Sequence, residues 1–176
     1  TPTRSPEAFV NEGEQLFKEG KLAQAIQAYK QGLLTDPNNP ATYVTLARLQ
    51  VFAGDYDAAI ENTQNALLIN PNNPLAHAVQ GWALSFQGED LQAEAAAKKA
   101  LELDPNNALA HAYYAEILLN KEDFGDLDKA IEHSKTAREL DPSLLETHRA
   151  RGLVLLNTQN IDEAIDELKA AIAIND

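Results

Sequence analysis

Three histidines, His77, His111 and His148, fall at one position of a recurring pattern, and imidazoles are the first groups to weigh for chemistry. A shared metal needs its nitrogens converging at about 2 Å. Equivalent atoms in stacked helical units stand roughly 8–10 Å apart, so the spacing favours packing over a common ion. His133 lies outside the pattern and is expected to be solvated. Glu122, Asp123, Asp126 and Asp128 form the other concentration of ligating groups. They lack the alternating ligands and central glycine of a calcium loop, and Asp126 is expected to cap the helix that follows it. No glycines are close enough to cradle a phosphate, no serine sits in a nucleophile elbow, and there is no cysteine. Disulfides, thiol catalysis and cysteine-based zinc sites are therefore excluded. These residues predict no enzyme, no cofactor and no metal.

Charge narrows the partners. The chain of 176 residues carries 14 basic and 27 acidic side chains, a formal net charge of −13. That balance repels nucleic acid and anionic membrane surfaces, and no apolar run approaches the roughly 20 residues that span a bilayer. Methionine is absent and the first residue is Thr1, which suggests a piece of something longer. Residues 1–5, a Thr/Pro-rich stretch running into Pro6, are expected to be a linker or tether to an upstream domain or anchor. The composition fixes no compartment.

The elements that must position these residues follow from a repeated phrase. Asp36-Pro37-Asn38-Asn39 returns as Asn70-Pro71-Asn72-Asn73, as Asp104-Pro105-Asn106-Asn107 and, weakened, as Asp141-Pro142-Ser143-Leu144; the prolines step by 34, 34 and 37 residues. A fixed period of this size means stacked units, here 6–39, 40–73, 74–107, 108–144 and 145–176. Small residues recur in register at three positions: Ala25, Ala59, Ala93, Ala130 and Ala164; Gly32, Ala66, Ala100, Ala137 and Ala171; Gly13, Ala47, Gly81, Ala115 and Gly152. Small side chains let two helix axes approach closely. Gly20, Gly54, Gly88 and Gly125 mark a turn inside each unit, and Gln159 breaks that pattern in the last. Each unit is thus a helical hairpin. The pattern predicts an all-α, α-α superhelix of five hairpins. First helices are expected near 7–19, 41–53, 75–87, 109–122 and 145–158, and second helices near 22–35, 56–69, 90–103, 126–140 and 161–174. The three extra residues of unit four, around Lys121–Phe124, are expected to lengthen its first helix or bulge the turn.

With its 34-residue period, three small positions, Gly turn and closing Pro-Asn-Asn, the chain resembles the tetratricopeptide repeat (TPR) family over residues 6–176. Phe9, Tyr43 and Tyr29 also sit at its usual aromatic positions. The resemblance implies a right-handed superhelix that binds proteins without catalysis. Its first helices would line a concave groove with the second, fifth, ninth, twelfth and thirteenth residues of each unit. On that basis the candidate groove residues are Val10, Glu14, Phe17, Val44, Arg48, Val51, Phe52, Leu75, Ala78, Trp82, Phe86, Ala112, Glu116 and Arg149, with Tyr113 beside the stripe of unit four. In unit three the groove stripe is nearly all apolar. Trp82 and Phe86 are therefore expected to anchor an apolar or amphipathic peptide or helix, unless tight curvature buries them against neighbouring first helices. Glu14–Arg48 and Glu116–Arg149 are expected to pair between first helices.

Relatives that clamp a C-terminal carboxylate use Lys, Asn and Arg at positions filled here by Val10, Glu14, Thr45, Leu75 and Val79. No other frame restores the clamp, so heat-shock chaperone tails are not the expected ligand. Two other roles stay open. One is the recognition module of a larger enzyme or membrane-anchored assembly factor. The other is self-association through the last helix, where Ile161, Ile165, Leu168 and Ile172 form an apolar stripe with no further unit to cover it.

Overall fold

A computed structural model of the chain describes residues 4–121 and 126–174. Its described residues form ten α-helices and no strand: α1 (Pro6–Lys18), α2 (Leu22–Thr35), α3 (Pro40–Phe52), α4 (Tyr56–Ile69), α5 (Pro74–Ser85), α6 (Asp90–Leu103), α7 (Ala108–Asn120), α8 (Leu127–Leu140), α9 (Leu145–Asn157) and α10 (Ile161–Ala173). Each odd helix packs on the even helix that follows it, and each even helix packs on the next odd one.

The repeated phrase does three local jobs. Its first residue ends a helix: the backbone N–H of Asp36, Asn70, Asp104 and Asp141 bonds back to the residue four earlier. The same side chain then turns the chain across the proline; Asp104 Oδ1 accepts from the Asn106 N–H at 3.2 Å. The second asparagine caps the next helix, with Asn73 Oδ1 accepting from Ala76 N and Asn107 Oδ1 from Ala110 N, each at 3.0 Å. Leu144 replaces that asparagine before α9 and makes no side-chain cap.

The three periodic histidines lock these turns. Nε2 of His77, His111 and His148 donates to the carbonyl of the proline six residues earlier, at 2.9, 3.0 and 2.9 Å. Each ring therefore ties a first helix to the turn that precedes it, a more specific role than packing. For His111 the donated Nε2–H leaves Nδ1 as an acceptor; Nδ1 of His148 instead faces the Glu167 carboxylate at 2.5 Å, which can only accept. His111 Nδ1 meets His133 Nδ1 at 2.8 Å, and His133 also lies against Tyr114 with ring centroids 4.5 Å apart. His133 is therefore part of the core edge, not solvated as the sequence suggested; burial is the main reason its pKa falls to about 4, and the His111 charge adds to it.

The small positions sit at the tightest approaches. Ala25, Ala59, Ala93, Ala130 and Ala164 are all fully buried. A Cβ on Gly81 would stand 2.7 Å from the Ala93 carbonyl oxygen, so α5 and α6 touch backbone to backbone there. The hairpin turns use left-handed glycines, Gly20, Gly54 and Gly88, and Gln159 adopts the same conformation at φ 60°. The last unit keeps the turn without the glycine, at a cost of about 1 kcal/mol.

Of the two expectations for the insertion, a longer first helix is not met, and a bulged turn would fall on residues outside those described. Lys121 is extended (φ −70°, ψ 140°), so α7 stops at Asn120 and is not lengthened through it. Glu122, Asp123, Phe124 and Gly125 lie outside the described residues. Asp126 precedes α8 but makes no capping bond with its side chain. Its carboxylate instead takes Lys121 and Lys129, each at 2.7 Å, while Lys121 also binds Glu94 at 2.8 Å. These lysine hydrogen bonds hold the carboxyls of Glu94 and Asp126 down to about 2. Among the described residues no helix is long and apolar enough to cross a membrane.

Candidate functional site

The concave face is built from the odd helices, and its middle is filled by the protein's own side chains. Trp82 of α5 is fully buried. It stacks flat on Tyr113 of α7, with centroids 4.4 Å apart and planes 11° apart. Phe52 and Phe86 meet it edge-on, with ring centroids 5.2 and 6.0 Å away. Phe17 continues the ladder toward α1, 5.9 Å from Phe52, and Phe86 stacks on Tyr56 at 4.8 Å. Ala78 and Ala112, both fully buried, let these rings lie close to the helix backbones.

Two arginine–glutamate pairs stitch this layer. Glu116 accepts from Trp82 Nε1–H at 2.8 Å and pairs with Arg149 at 3.2 Å. The Arg149 guanidinium lies over the Trp82 and Phe52 rings, 5.1 and 5.6 Å from their centroids. Glu146 accepts from Arg48 Nε at 2.5 Å and from the Tyr113 hydroxyl at 3.2 Å, and Arg48 covers the Phe17 ring at 5.4 Å. Arg48 and Glu146 are 98 residues apart. Their bond reaches from unit two to unit five and closes the concave face across its width. The Glu116–Arg149 pair is the one expected; Arg48 does not pair with Glu14, which is exposed, but with Glu146. Curvature is the reason, because it brings α9 nearer to Arg48 than neighbouring-unit spacing implies.

Burying these carboxylates is costly unless they are paired and hydrogen-bonded. Glu116 and Glu146 side chains are 2% and 1% exposed. Burial pushes the Glu116 carboxyl up to about 7; Arg149 and the Trp82 N–H oppose the shift and the Glu146 charge adds to it. Burial first, and then the Glu146 charge, raise the Tyr113 phenol well above its usual range. Glu116 Oε1, Glu146 Oε2 and Arg149 Nη1 are buried with no hydrogen-bond partner among the described residues.

The fifteen candidate residues thus divide into two groups. Val44, Val51, Ala78, Trp82, Ala112, Tyr113 and Glu116 are buried in the filled middle. Val10, Phe17, Arg48, Phe52, Leu75 and Arg149 are partly exposed, Glu14 is exposed, and Phe86 is 36% exposed at the edge of the aromatic layer. Space remains between units one and five, where a cavity of about 640 Å³ is lined by Glu14, Phe17, Lys18, Tyr29, Arg48, Leu145, Glu146 and Ile174. A second space of about 270 Å³ adjoins it, shares Glu14, Tyr29 and Thr45 with it, and reaches Val10. Lys18 and Glu146 were legible, as the thirteenth residue of unit one and the second residue of unit five on the expected groove stripe, although neither was singled out. Tyr29 and Ile174 were not groove positions, and Ile174 gave no signal, because its place depends on how far the array curls.

Tetratricopeptide repeat models match residues 16–83, 76–107, 96–132 and 121–176. Among solved structures, a thermophilic TPR protein of Thermus thermophilus is 24% identical, with 96% of this chain and 91% of that one covered at a TM-score of 0.78. MamA (41-end) from Desulfovibrio magneticus RS-1 is 19% identical, with 96% and 94% covered at 0.59. The first TPR of Spaghetti (RPAP3), solved bound to the HSP90 peptide SRMEEVD, is 26% identical, with 64% and 90% covered at 0.60. No curated protein matches the chain. Ten helices among the described residues, in a rhythm near 34 residues and matched by repeat models that together run from residue 16 to residue 176, make this chain a member of the tetratricopeptide repeat family.

Proposed function

We propose that this chain is a non-enzymatic scaffold that holds a peptide or helical segment of a protein partner in its concave face. The segment enters the cavity between units one and five. The observation that carries this reading is that cavity, about 640 Å³ in size, within the range of specific ligand sites, beside a middle already occupied by the protein's own rings. Phe17 and the stem of Lys18 offer apolar contact there. Glu14, Lys18 and Arg48 offer charges of both signs, which orient a segment more than they tighten it. Phe86 is a second contact at the layer's edge, with Trp82 as the floor behind it.

A relative of 26% identity bound to a peptide supports peptide capture. The carboxylate-clamp positions are nevertheless filled by Val10, Glu14, Thr45, Leu75 and Val79, so an acidic chain end is not the proposed ligand. The test is selection of peptides from a random displayed library, with affinities of the best binders measured by calorimetry. Phe17→Ala and Lys18→Glu are each expected to weaken binding about tenfold or more, equivalent to roughly 1.4 kcal/mol. Lys135→Glu, on the exposed side of α8, should bind as the parent does. Peptides that bind all three variants with parental affinity would remove the site from the cavity.

A further inference from the structure

Arg48 leaves part of its hydrogen-bonding capacity open. Among the described residues its guanidinium donates from Nε alone, to Glu146 at 2.5 Å, and its side chain is 22% exposed. That bond fixes one edge of the planar group, and the Phe17 ring, with its centroid 5.4 Å from Cζ, supports its face. The two Nη groups, whose donors the bond does not use, belong to the wall of the cavity between units one and five. Two further donors line the same space. Lys18 is exposed there. Tyr29 has its phenol pushed up to about 12, mainly by burial, so its hydroxyl keeps a proton to donate at neutral pH.

The acceptors count for less. Glu146 spends one oxygen on Arg48 and Tyr113 and buries the other. Of the carboxylates lining the cavity, Glu14 is the one that remains exposed, and it also faces the adjoining space.

We infer that the segment held in this cavity carries an acidic side chain, Asp or Glu, whose two oxygens take the two Nη groups of Arg48, with Lys18 and the Tyr29 hydroxyl beside them. The inference rests on the cavity being the binding site proposed above, and adds the chemistry it selects. A guanidinium offers paired donors that match a carboxylate end-on, and Arg48 can do so while its Nε serves Glu146. Residues next to the acid are apolar, because Phe17 and Leu145 flank the same space. One acid is selected rather than a run. Arg48 and Lys18 attract the docked carboxylate directly, whereas the formal net charge of −13 repels each further acid that has no cation of its own. The acceptor is a side chain within the segment, so no chain end is required.

Peptides selected against the full chain from a random displayed library test this. Their sequences should share one acidic position flanked by apolar residues. The tightest binder is then made with that position as Glu or as Gln, and both forms are measured by calorimetry. On the parent chain the Gln form should bind about tenfold or more weaker. Arg48→Lys can still serve Glu146 but offers no fork, so most of that difference should vanish at parental helicity. Lys18→Gln alters an exposed position and should narrow the difference to about threefold, a comparison that holds even if Arg48→Lys fails to fold. Selected peptides with a basic residue or no shared charge, a Gln form as tight as the Glu form, or an unchanged difference on both variants would each overturn the inference. If such peptides still lose affinity to Phe17→Ala, the cavity stands as the site and only its selectivity is wrong. Peptides indifferent to Phe17→Ala would overturn both readings.

Discussion

Trp82→Ala is expected to lower the stability of the array by about 5 kcal/mol. Removing a fully buried tryptophan costs roughly 3–5 kcal/mol in lost transfer energy and cavity. Here the indole N–H also satisfies Glu116, and leaving a buried carboxylate short of a donor adds roughly 1–3 kcal/mol. Native domains hold only about 5–15 kcal/mol in total, so a large share of stability rests on this ring. The loss falls in the middle of a linear stack, where each unit depends on its neighbours. Urea unfolding followed by circular dichroism should therefore show a lower midpoint and a broadened transition as the two ends uncouple. Trp82→Phe separates the two contributions: it keeps most of the ring but drops the donor, and should cost roughly 1–3 kcal/mol. A Trp82→Ala cost below about 1 kcal/mol would mean the ring is not packed as described.

The second large effect is on pH dependence, where two groups oppose each other. Burial raises Glu116 to about 7 from 4.5. The native state therefore binds this proton more tightly than the unfolded chain does. Its contribution is fully present below pH 4.5 and is lost as pH rises through 7. Burial depresses His133 to about 4 from 6.5, helped by the His111 and Lys129 charges and opposed by Glu132. Its contribution is present above pH 6.5 and is lost as pH falls toward 4. The Glu116 shift corresponds to roughly 3 kcal/mol across its window. His133 is only partly buried, so solvent screening reduces its share to roughly 1–2 kcal/mol. Between about pH 4.5 and 6.5 the two therefore largely offset each other.

The parent chain should thus have a shallow stability profile there, by compensation. Glu116→Gln should unmask His133, so that the urea midpoint drops on acidification from pH 6.5 to 4.5. His133→Phe, which keeps a ring against Tyr114, should unmask Glu116, so that the midpoint rises steeply over the same interval. Glu94 and Asp126, both held near 2, lose their contribution only at lower pH. Two variants with the parent's shallow profile would contradict both assignments.

The sequence made the repeat legible because its signals are local. Each Asx-Pro-Asn-Asn phrase ends one helix and caps the next, and small residues mark close approaches, such as Gly81 to the Ala93 backbone and Gly13 to the Tyr29 ring. What it left open was curvature. Periodicity puts Val44 and Trp82 on one stripe of their helices and the family resemblance turns that stripe to the concave side, but neither tells whether neighbouring units close over them. Closure depends on small differences between units: alanine at positions 78 and 112 admits flat rings, and Arg48 is long enough to reach Glu146 once the array has curled. The histidine latches were half visible. Their register with the repeat was plain, whereas the bond from Nε2 to the proline carbonyl six residues back depends on the turn geometry. His133 looked solvated because its partner, His111, lies 22 residues away on the facing helix.

Trp82 is the single tryptophan of the chain, so its fluorescence reports on the middle of the concave face alone. Acrylamide quenching of the native protein, set against the urea-unfolded chain, is the most direct test of the claim that this middle is closed by the protein's own side chains. The account predicts blue-shifted emission and a native quenching constant that is a small fraction of the unfolded one. Arg48→Ala, which unties unit two from unit five, should raise it. Native emission and quenching close to those of the unfolded chain would show an open groove with an exposed indole, and would contradict the account.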